Sequence, residues 1–266
     1  MGVFGVTAGG LLLFSFAVMR ERISPAPAQD SSVIRDAADL GRNPPWIVLC
    51  VASVLVLLGM SIRGAATLYY FKYFVLNETM ASTFMVAGTV ATLLGVASTA
   101  GLSRLLGGKK RALLVLLAGN VAGLVVFQFA GPRDVSVMFA TQIIGSYAEG
   151  PLFLLVWSIQ ADTADYAEWK AGRRATGLVF STATFAQKIG WTVGGALAGW
   201  ILSSFGFHAN VQQSAGALAS IRAVMGWIPA GMCALGTVVA YLYTLDARAL
   251  ECLEAELQDR TRGVDW

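Results

Sequence analysis

The chain has 266 residues, of which 56% are apolar and only 13% are charged. Soluble domains carry about 25% charged residues, so this composition excludes an ordinary soluble fold and indicates a membrane protein. The three cysteines are scattered without a CxxC pair, which gives disulfide or metal chemistry little support. No basic leader precedes the first apolar run, so we expect no cleaved signal peptide.

Seven apolar runs are long enough to cross about 30 Å of hydrocarbon. They cover residues 1–19, 46–74, 80–103, 112–130, 135–161, 175–203 and 221–245. We therefore predict an all-α integral membrane protein with about seven transmembrane helices and a polar loop between the last two. The final stretch, 246–266, has leucines at helical spacing, which predicts a short amphipathic helix on the membrane surface.

Basic residues concentrate in alternate loops. Fourteen fall on one side of the predicted membrane, namely Arg20, Arg22, Arg35, Arg42, Arg104, Lys109, Lys110, Arg111, Lys170, Arg173, Arg174, Arg248, Arg260 and Arg262. The other side has only Arg133 and Arg222. By the positive-inside rule, the richer side and the C-terminus are cytoplasmic, and the N-terminus is outside.

Polar and aromatic side chains form one stripe along the fifth apolar run. Its members lie three or four residues apart, at Gln142, Ser146, Glu149, Phe153, Trp157 and Gln160. Glu149 is near mid-membrane, where a carboxylate needs a partner; Lys188 is at similar depth, and Arg63 is the other candidate. Glu149 and its cationic partner either hold two helices together or line a polar pathway. The polar side chains that precede and follow Glu149 on the stripe favour the pathway.

The sixth run contains a cation at bilayer depth, where insertion costs about 2.5–3.5 kcal/mol. Lys188 shares a helix face with Ser181 and Thr184. A second stripe, Gly190, Gly194, Gly195 and Gly199, predicts a close approach of another helix. Arg63 shares a face with Thr67 and Tyr70 in the second run. The candidate pathway residues are Lys188, Arg63, Tyr70, Gln142, Glu149, Trp157 and Thr184.

Three sequence blocks occur in order within 30 residues: ADTADYAEWK at 161–170, GRRATGLVFS at 172–181 and FAQKIG at 185–190. They resemble the segment between the tenth and eleventh helices of the glycoside–pentoside–hexuronide:cation symporters, a family of the major facilitator superfamily that includes melibiose permease. The stretches 43–46 and 69–73 are similar to that family's seventh helix. Arg104–Arg111 resembles a degraded copy of the superfamily's basic loop, although a basic cytoplasmic anchor suffices to explain it.

The resemblance covers nearly the whole chain but only the second half of a twelve-helix fold, from about the sixth helix onward. It implies four parts: residues 1–22 equivalent to the sixth helix, a cytoplasmic linker at 23–45, a six-helix bundle at 46–245 and a cytoplasmic tail at 246–266. An odd number of helices with an outside start is expected for such a partial chain.

The resemblance also implies a function, sugar:cation symport across the inner membrane. The sugar would bind between two six-helix halves, with the coupling Na⁺ or H⁺ held mainly by the first half and no other cofactor. The expected partners are membrane lipid, a small sugar and the missing half or a second chain, but no nucleic acid. Lys188 matches a family lysine near the sugar and cation sites. Asp162, Asp165, Tyr166 and Glu168 match a cytoplasmic gate motif; we predict no catalytic or metal-binding residues.

Two other interpretations stay open at this point. Seven helices with a buried lysine and a mid-membrane carboxylate also describe a retinal protein, although its Schiff-base lysine belongs on the last helix. A membrane enzyme could use Asp162, Asp165 and Glu168 as catalytic or metal-binding carboxylates. No histidine, cysteine pair or phosphate loop stands near those residues in the sequence.

Overall fold

The structure is a computed structural model that describes residues 2–19, 40–171 and 176–262. Every regular element in these ranges is a helix, which confirms the all-α prediction. The chain divides into two compact units, Met1–Arg35 and Asp36–Trp266. The first unit contains helix α1 (Gly2–Val18), which is apolar along its length and is shorter than the roughly 20 residues that a membrane span requires.

The second unit begins with a long helix whose ends are set by local sequence. Asn43 caps helix α2 (Pro44–Tyr69), since its side chain accepts a hydrogen bond from the Trp46 amide at 3.2 Å. The two prolines that follow lie in the first turn, where a missing N–H costs nothing. The helix continues as a π-helical segment, Tyr70–Val75, and stops at Leu76, whose φ is 60°.

Four further helices complete most of the bundle. They are α3 (Glu78–Leu105), α4 (Lys109–Phe129), α5 (Val135–Ala171) and α6 (Thr176–Ser204). Helix α5 continues past the apolar run predicted at 135–161, so the charged residues that follow lie on its last turns. Residues 172–175 are outside the described ranges.

The last apolar run is divided in two. Helix α7 (Ala215–Met225) and helix α8 (Trp227–Tyr241) meet at Gly226, where the Gln128 side-chain oxygen accepts a hydrogen bond from the Trp227 amide at 3.2 Å. Ser214 caps α7 by accepting from the Ala217 amide at 3.2 Å. The predicted start of this run at 221 was therefore too late, because the small and apolar residues at 215–220 already belong to the capped helix.

Five stretches in the described residues are long and apolar enough to cross a membrane: Pro44–Val75, Glu78–Leu105, Lys109–Phe129, Val135–Lys170 and Ala215–Tyr241. These agree with five of the seven predicted runs. Helix α6 has 29 residues but is not among the five, because Lys188 and its threonine, serine and glutamine residues lower the mean hydropathy.

Two tight helix crossings organise the bundle. Helix α3 packs on α5 and α2 packs on α6, while α8 contacts both α2 and α4. A Cβ added at Gly95 would collide with the Tyr147 carbonyl, and one at Gly150 would lie 2.7 Å from the Val96 nitrogen. The α3–α5 crossing therefore depends on glycine at both positions.

The predicted glycine stripe of α6 is confirmed in part. A Cβ at Gly194 would lie 2.7 Å from the Leu58 carbonyl oxygen of α2, and one at Gly190 would lie 3.1 Å from that of Val54. Gly195 has its nearest neighbour at 3.8 Å and Gly199 has none within 4 Å, so only the first two permit the close approach.

The polar tail forms helix α9 (Ala247–Arg262), as its leucine spacing predicts. Leu253 is buried in the protein. The Trp169 indole of α5 donates a hydrogen bond to Glu256 of α9 at 2.6 Å. Helix α9 thus packs against the end of the bundle that bears Lys109. The prediction had instead placed this helix on the membrane surface.

Candidate functional site

A polar cavity of about 370 Å³ is lined mainly by helices α2, α3 and α5, with further residues from α4, α6 and α8. Its charged and amide-bearing lining residues are Arg63, Asn120, Gln142 and Glu149. Phe84, Met85 and Trp191 give it apolar walls. The mixture of convergent polar groups and aromatic surface is typical of a small-molecule site.

Arg63 is held in this cavity by neutral groups. Its Nη2 donates a hydrogen bond to the Gln142 side-chain oxygen at 2.9 Å, and its guanidinium carbon lies 4.7 Å from the centre of the Phe127 ring. Gln142 in turn donates to the Ser146 hydroxyl at 3.2 Å. The four residues form a continuous chain from α2 and α4 to α5, which fixes the direction of the guanidinium.

Glu149 provides the carboxylate of the same cavity. Its charge interacts with that of Arg63, and the Asn120 amide belongs to the same cavity lining. Among the described residues, no ion pair within 4.0 Å joins Arg63 to Glu149. The structure therefore places the counter-charge of Glu149 on Arg63, the second candidate, and not on Lys188.

Lys188 lies on an exposed face of α6. No side-chain hydrogen bond or ion pair of Lys188 occurs within the part of the chain that the structure describes. Thr184, on the same helix, is partly buried and donates its hydroxyl to the Phe180 carbonyl at 2.7 Å. The predicted face of α6 exists, but its cation does not enter the pair with Glu149.

A second cavity of about 100 Å³ lies on the other side of Glu149, between α2, α5 and α6. Trp157 lines it and stacks on Phe180, with ring centres 5.8 Å apart and planes 9° apart. Met60, Glu149 and Trp191 line both cavities. These three residues therefore mark the boundary between the larger polar cavity and the smaller apolar one.

Two members of the predicted polar and aromatic set lie in the protein core. Tyr70 is 2% exposed and packs among aromatic rings, including that of Phe127 at 5.3 Å. Gln160, at the end of the predicted stripe of α5, is fully buried. The expectation that Tyr70 lines the pathway is not supported, because the π-helical turn that begins at this residue directs it into the core.

The predicted gate motif is held by an ion pair that the sequence reasoning missed. Lys109 Nζ lies 2.8 Å and 2.9 Å from the two carboxylate oxygens of Asp162. Burial raises the pKa of the neighbouring Tyr243 phenol, and the Asp162 charge adds to that rise. Tyr166 packs against Trp169 with ring centres 5.8 Å apart. Asp165 and Glu168 also interact with other groups, and Arg173 and Arg174 lie outside the described residues.

The sequence contained a signal for this pair. Lys109 belongs to a basic loop and Asp162 to an acidic motif, and both were predicted on the cytoplasmic side.

Asn120 and Trp191 were also missed as cavity residues. Asn120 is an isolated amide in an apolar run, and this alone was a clue, since a buried amide needs a partner.

Residues 1–247 match the family described as MFS/sugar transport protein. The chain belongs to this family. It is 31% identical over 245 residues to the isoprimeverose transporter of Lactiplantibacillus pentosus, an alignment that covers 92% of this chain and 51% of that protein.

Two relatives from Escherichia coli K12 are similar at 30% identity over 261 residues. One is the putative glycoside/cation symporter YagG, with 97% of this chain and 56% of the relative covered. The other is the glucuronide carrier protein homolog, with 96% and 56% covered. The chain thus spans about half the length of the curated relatives it matches. All three relatives are named as transporters or carriers, so they give no support to a retinal protein or a membrane enzyme.

Proposed function

We propose that this chain forms the C-terminal half of a sugar:cation symporter of the cell membrane. The observation that carries the proposal is the polar cavity in which Arg63, Gln142 and Glu149 converge beside Trp191. Sugars present many hydroxyl groups and weakly polar ring faces, so they suit a site of hydrogen-bonding side chains with an aromatic wall. The names of the relatives, which include a transporter of isoprimeverose and a glycoside/cation symporter, support the same substrate class.

The proposal also specifies what the chain does not do by itself. A sugar site near the midplane needs walls from both halves, and alternating access requires two bodies that move against each other. A first half, as a separate or fused chain, would complete the site and hold most of the ligands of the coupling Na⁺ or H⁺. No catalytic step is part of this function.

Uptake of labelled glycosides tests the proposal. Cells that express this chain together with a first half from a relative should accumulate the sugar, and cells that express either half by itself should not. In the assembled halves, Arg63→Gln should reduce uptake, because Arg63 lines the cavity. The matched control is Arg222→Gln, since Arg222, like Arg63, is half-buried and stacks on a phenylalanine, at 5.2 Å, but does not line the cavity. Uptake by this chain alone at the level of a full-length relative would refute the half-transporter function.

The proposed orientation has its own test. A reporter active only in the cytoplasm should work when it is fused after Lys110 and should be inactive when it is fused after His208. The reason is the concentration of fourteen basic residues on the Lys110 side. Reporter activity at His208 would reverse the orientation and place the C-terminus outside.

A further inference from the structure

The π-helical turn at the end of α2 packs against the wall of the polar cavity. Its first two residues, Tyr70 and Phe71, are buried, and their rings lie 5.3 Å from Phe127 and 4.9 Å from Phe84, respectively. Phe84 lines the cavity, and Phe127 packs against the Arg63 guanidinium. The four rings therefore form an aromatic layer between the cavity and this end of the bundle, which is the end away from the Lys109–Asp162 pair.

The loop between α6 and α7, residues 205–214, is attached to the same π-helical turn, and we call this loop the strap. The Phe207 ring contacts the rings of Tyr69 and Tyr73 edge-on, with ring centres 5.2 Å apart in both pairs. The Asn210 backbone amide donates a hydrogen bond to the Tyr73 hydroxyl at 2.8 Å. The strap thus holds the outer face of the turn whose inner face forms the aromatic layer.

The polar contacts of the strap are exposed, so they can break without unfolding the core. Lys72 donates a hydrogen bond to the Asn210 side-chain oxygen at 3.1 Å, and it pairs with Glu78 at 3.2 Å, with side chains 39% and 66% exposed. Water competes for such contacts, which makes them weak. Asn210 and Leu76 also have φ values of 62° and 60°, in the left-handed region that is unfavourable for residues other than glycine. Segments held in this way open at lower cost than a buried core.

The π-helical turn has an alternative conformation available. A π-helical turn contains one residue more than the α-helical turn that it replaces, and such turns occur frequently at functional sites. The turn is closed at its end by the Asn77 amide, which donates to the Phe71 carbonyl at 2.9 Å. If the strap releases Tyr73, the turn can rewind to α-helix, in which each residue is rotated by about 100° from the one before. That change displaces the later residues of the turn and loosens the packing of the aromatic layer.

We propose that the strap keeps the aromatic layer closed and that its release opens the polar cavity to water from this end of the bundle. By the predicted orientation, this end faces outside the cell. Alternating access requires a barrier on each side of a central site, and the strap with the aromatic layer supplies one of them. The inference goes beyond the proposed function, because it concerns the access of water to the cavity and holds whether or not a sugar binds there.

Cys233 is a natural reporter for the test, since it lines the cavity and is 1% exposed. Cys50→Ala and Cys252→Ala leave it as the single thiol of the chain. The purified chain in lipid nanodiscs is treated with 2-sulfonatoethyl methanethiosulfonate, whose negative charge prevents entry through lipid, and the labelling rate of Cys233 is followed by mass spectrometry. Opening of the layer raises this rate, because a buried thiol reacts only when the reagent reaches it.

Phe207→Ala should raise the labelling rate roughly tenfold or more, because it removes both ring contacts of the strap. Tyr73→Phe keeps the ring but loses the hydrogen bond from Asn210, so it should give a smaller rise. The matched control is Phe205→Ala in the same loop. Phe205 is 58% exposed and has no ring contact among the described residues, so its variant should label at the rate of the unsubstituted chain.

Hydrogen–deuterium exchange of the same samples separates release of the strap from unfolding. In Phe207→Ala, residues 70–77 and 205–214 should exchange faster together, while residues 44–60 of α2 keep their protection. If Phe207→Ala exposes 44–60 as well, Tyr73→Phe decides, and it must still label faster than Phe205→Ala.

Two results would overturn the inference. One is an equal Cys233 labelling rate in the strap variants and in Phe205→Ala. The other is faster exchange of 205–214 while 70–77 stays protected, since the loop would then move without the turn. Neither result bears on the proposed function, because no sugar enters these measurements. Conversely, absence of sugar uptake by the assembled halves would leave the strap intact.

Discussion

Two of the cation–carboxylate systems in the described part of the bundle differ in geometry. Lys109 and Asp162 are in direct contact at 2.8 Å at the predicted cytoplasmic end, with side chains 41% and 10% exposed. Arg63 and Glu149 lie on helices that are long and apolar enough to cross a membrane, no ion pair within 4.0 Å joins them, and Arg63 donates a hydrogen bond to the neutral Gln142 amide. The first system joins α4 to α5 and satisfies its own charges. The second leaves donors and acceptors directed at a cavity, which is what a binding site needs.

The largest effect is expected from separating the charges of the second system. Arg63→Gln and Glu149→Gln should each lower the free energy of unfolding by roughly 3 kcal/mol, since each leaves one charge uncompensated in the protein interior. The double variant should lose less than the sum, because no charge is then left unpaired. Thermal unfolding in detergent, followed by circular dichroism, measures all three variants. Strictly additive losses would show that the two groups do not interact.

A slightly smaller effect is expected at the crossing that positions Glu149. Gly150→Ala should lower the free energy of unfolding by about 2 kcal/mol, because the new methyl group meets the backbone of α3, which cannot move aside. Gly101→Ala in α3 is the matched control; no atom lies within 4 Å of its new Cβ, so it should be neutral or stabilising. Similar stability of the two variants in detergent would show that the crossing is looser than described.

The exposed Lys109–Asp162 ion pair should contribute less to stability than the α3–α5 crossing. Asp162→Asn should lower the free energy of unfolding by roughly 1 kcal/mol, because solvent screens the half-exposed Lys109 and weakens the pair. The loss should shrink in 1 M salt, where charges are screened within about 3 Å. Lys110→Gln, a change of the adjacent lysine of the same loop, should have a smaller effect. A loss that is independent of salt would argue that Asp162 acts through packing instead of charge.

Lys188 should have the smallest effect on stability. Lys188→Gln should change the free energy of unfolding by no more than about 0.5 kcal/mol, because the side chain is exposed and the described residues offer it no partner. The same variant should reduce sugar uptake by the assembled halves if this cation faces the first half. A large loss of stability in the isolated chain would instead indicate a partner within the bundle.

The resemblance to a transporter family was correct because its motif blocks lie on one continuous stretch of sequence. Residues 161–190 carry the specific side chains, and their order does not depend on how the helices pack. The match of residues 1–247 to the MFS/sugar transport family confirms that interpretation. The proposed domain boundaries, the orientation and the site residues stay predictions.

By itself, the sequence determined the helical class, most of the apolar runs and the polar face of α5, because these features follow from local periodicity and composition. Tertiary structure alone decided which charges meet. Depth along two helices made Lys188 and Arg63 equal candidates for Glu149, but pairing also depends on how each helix is rotated about its axis. The glycine contacts of α6 with α2, at Gly190 and Gly194, set that rotation and leave Lys188 on an exposed face. The α3–α5 crossing at Gly95 and Gly150 orients α5 so that Gln142 and Glu149 share one cavity with Arg63.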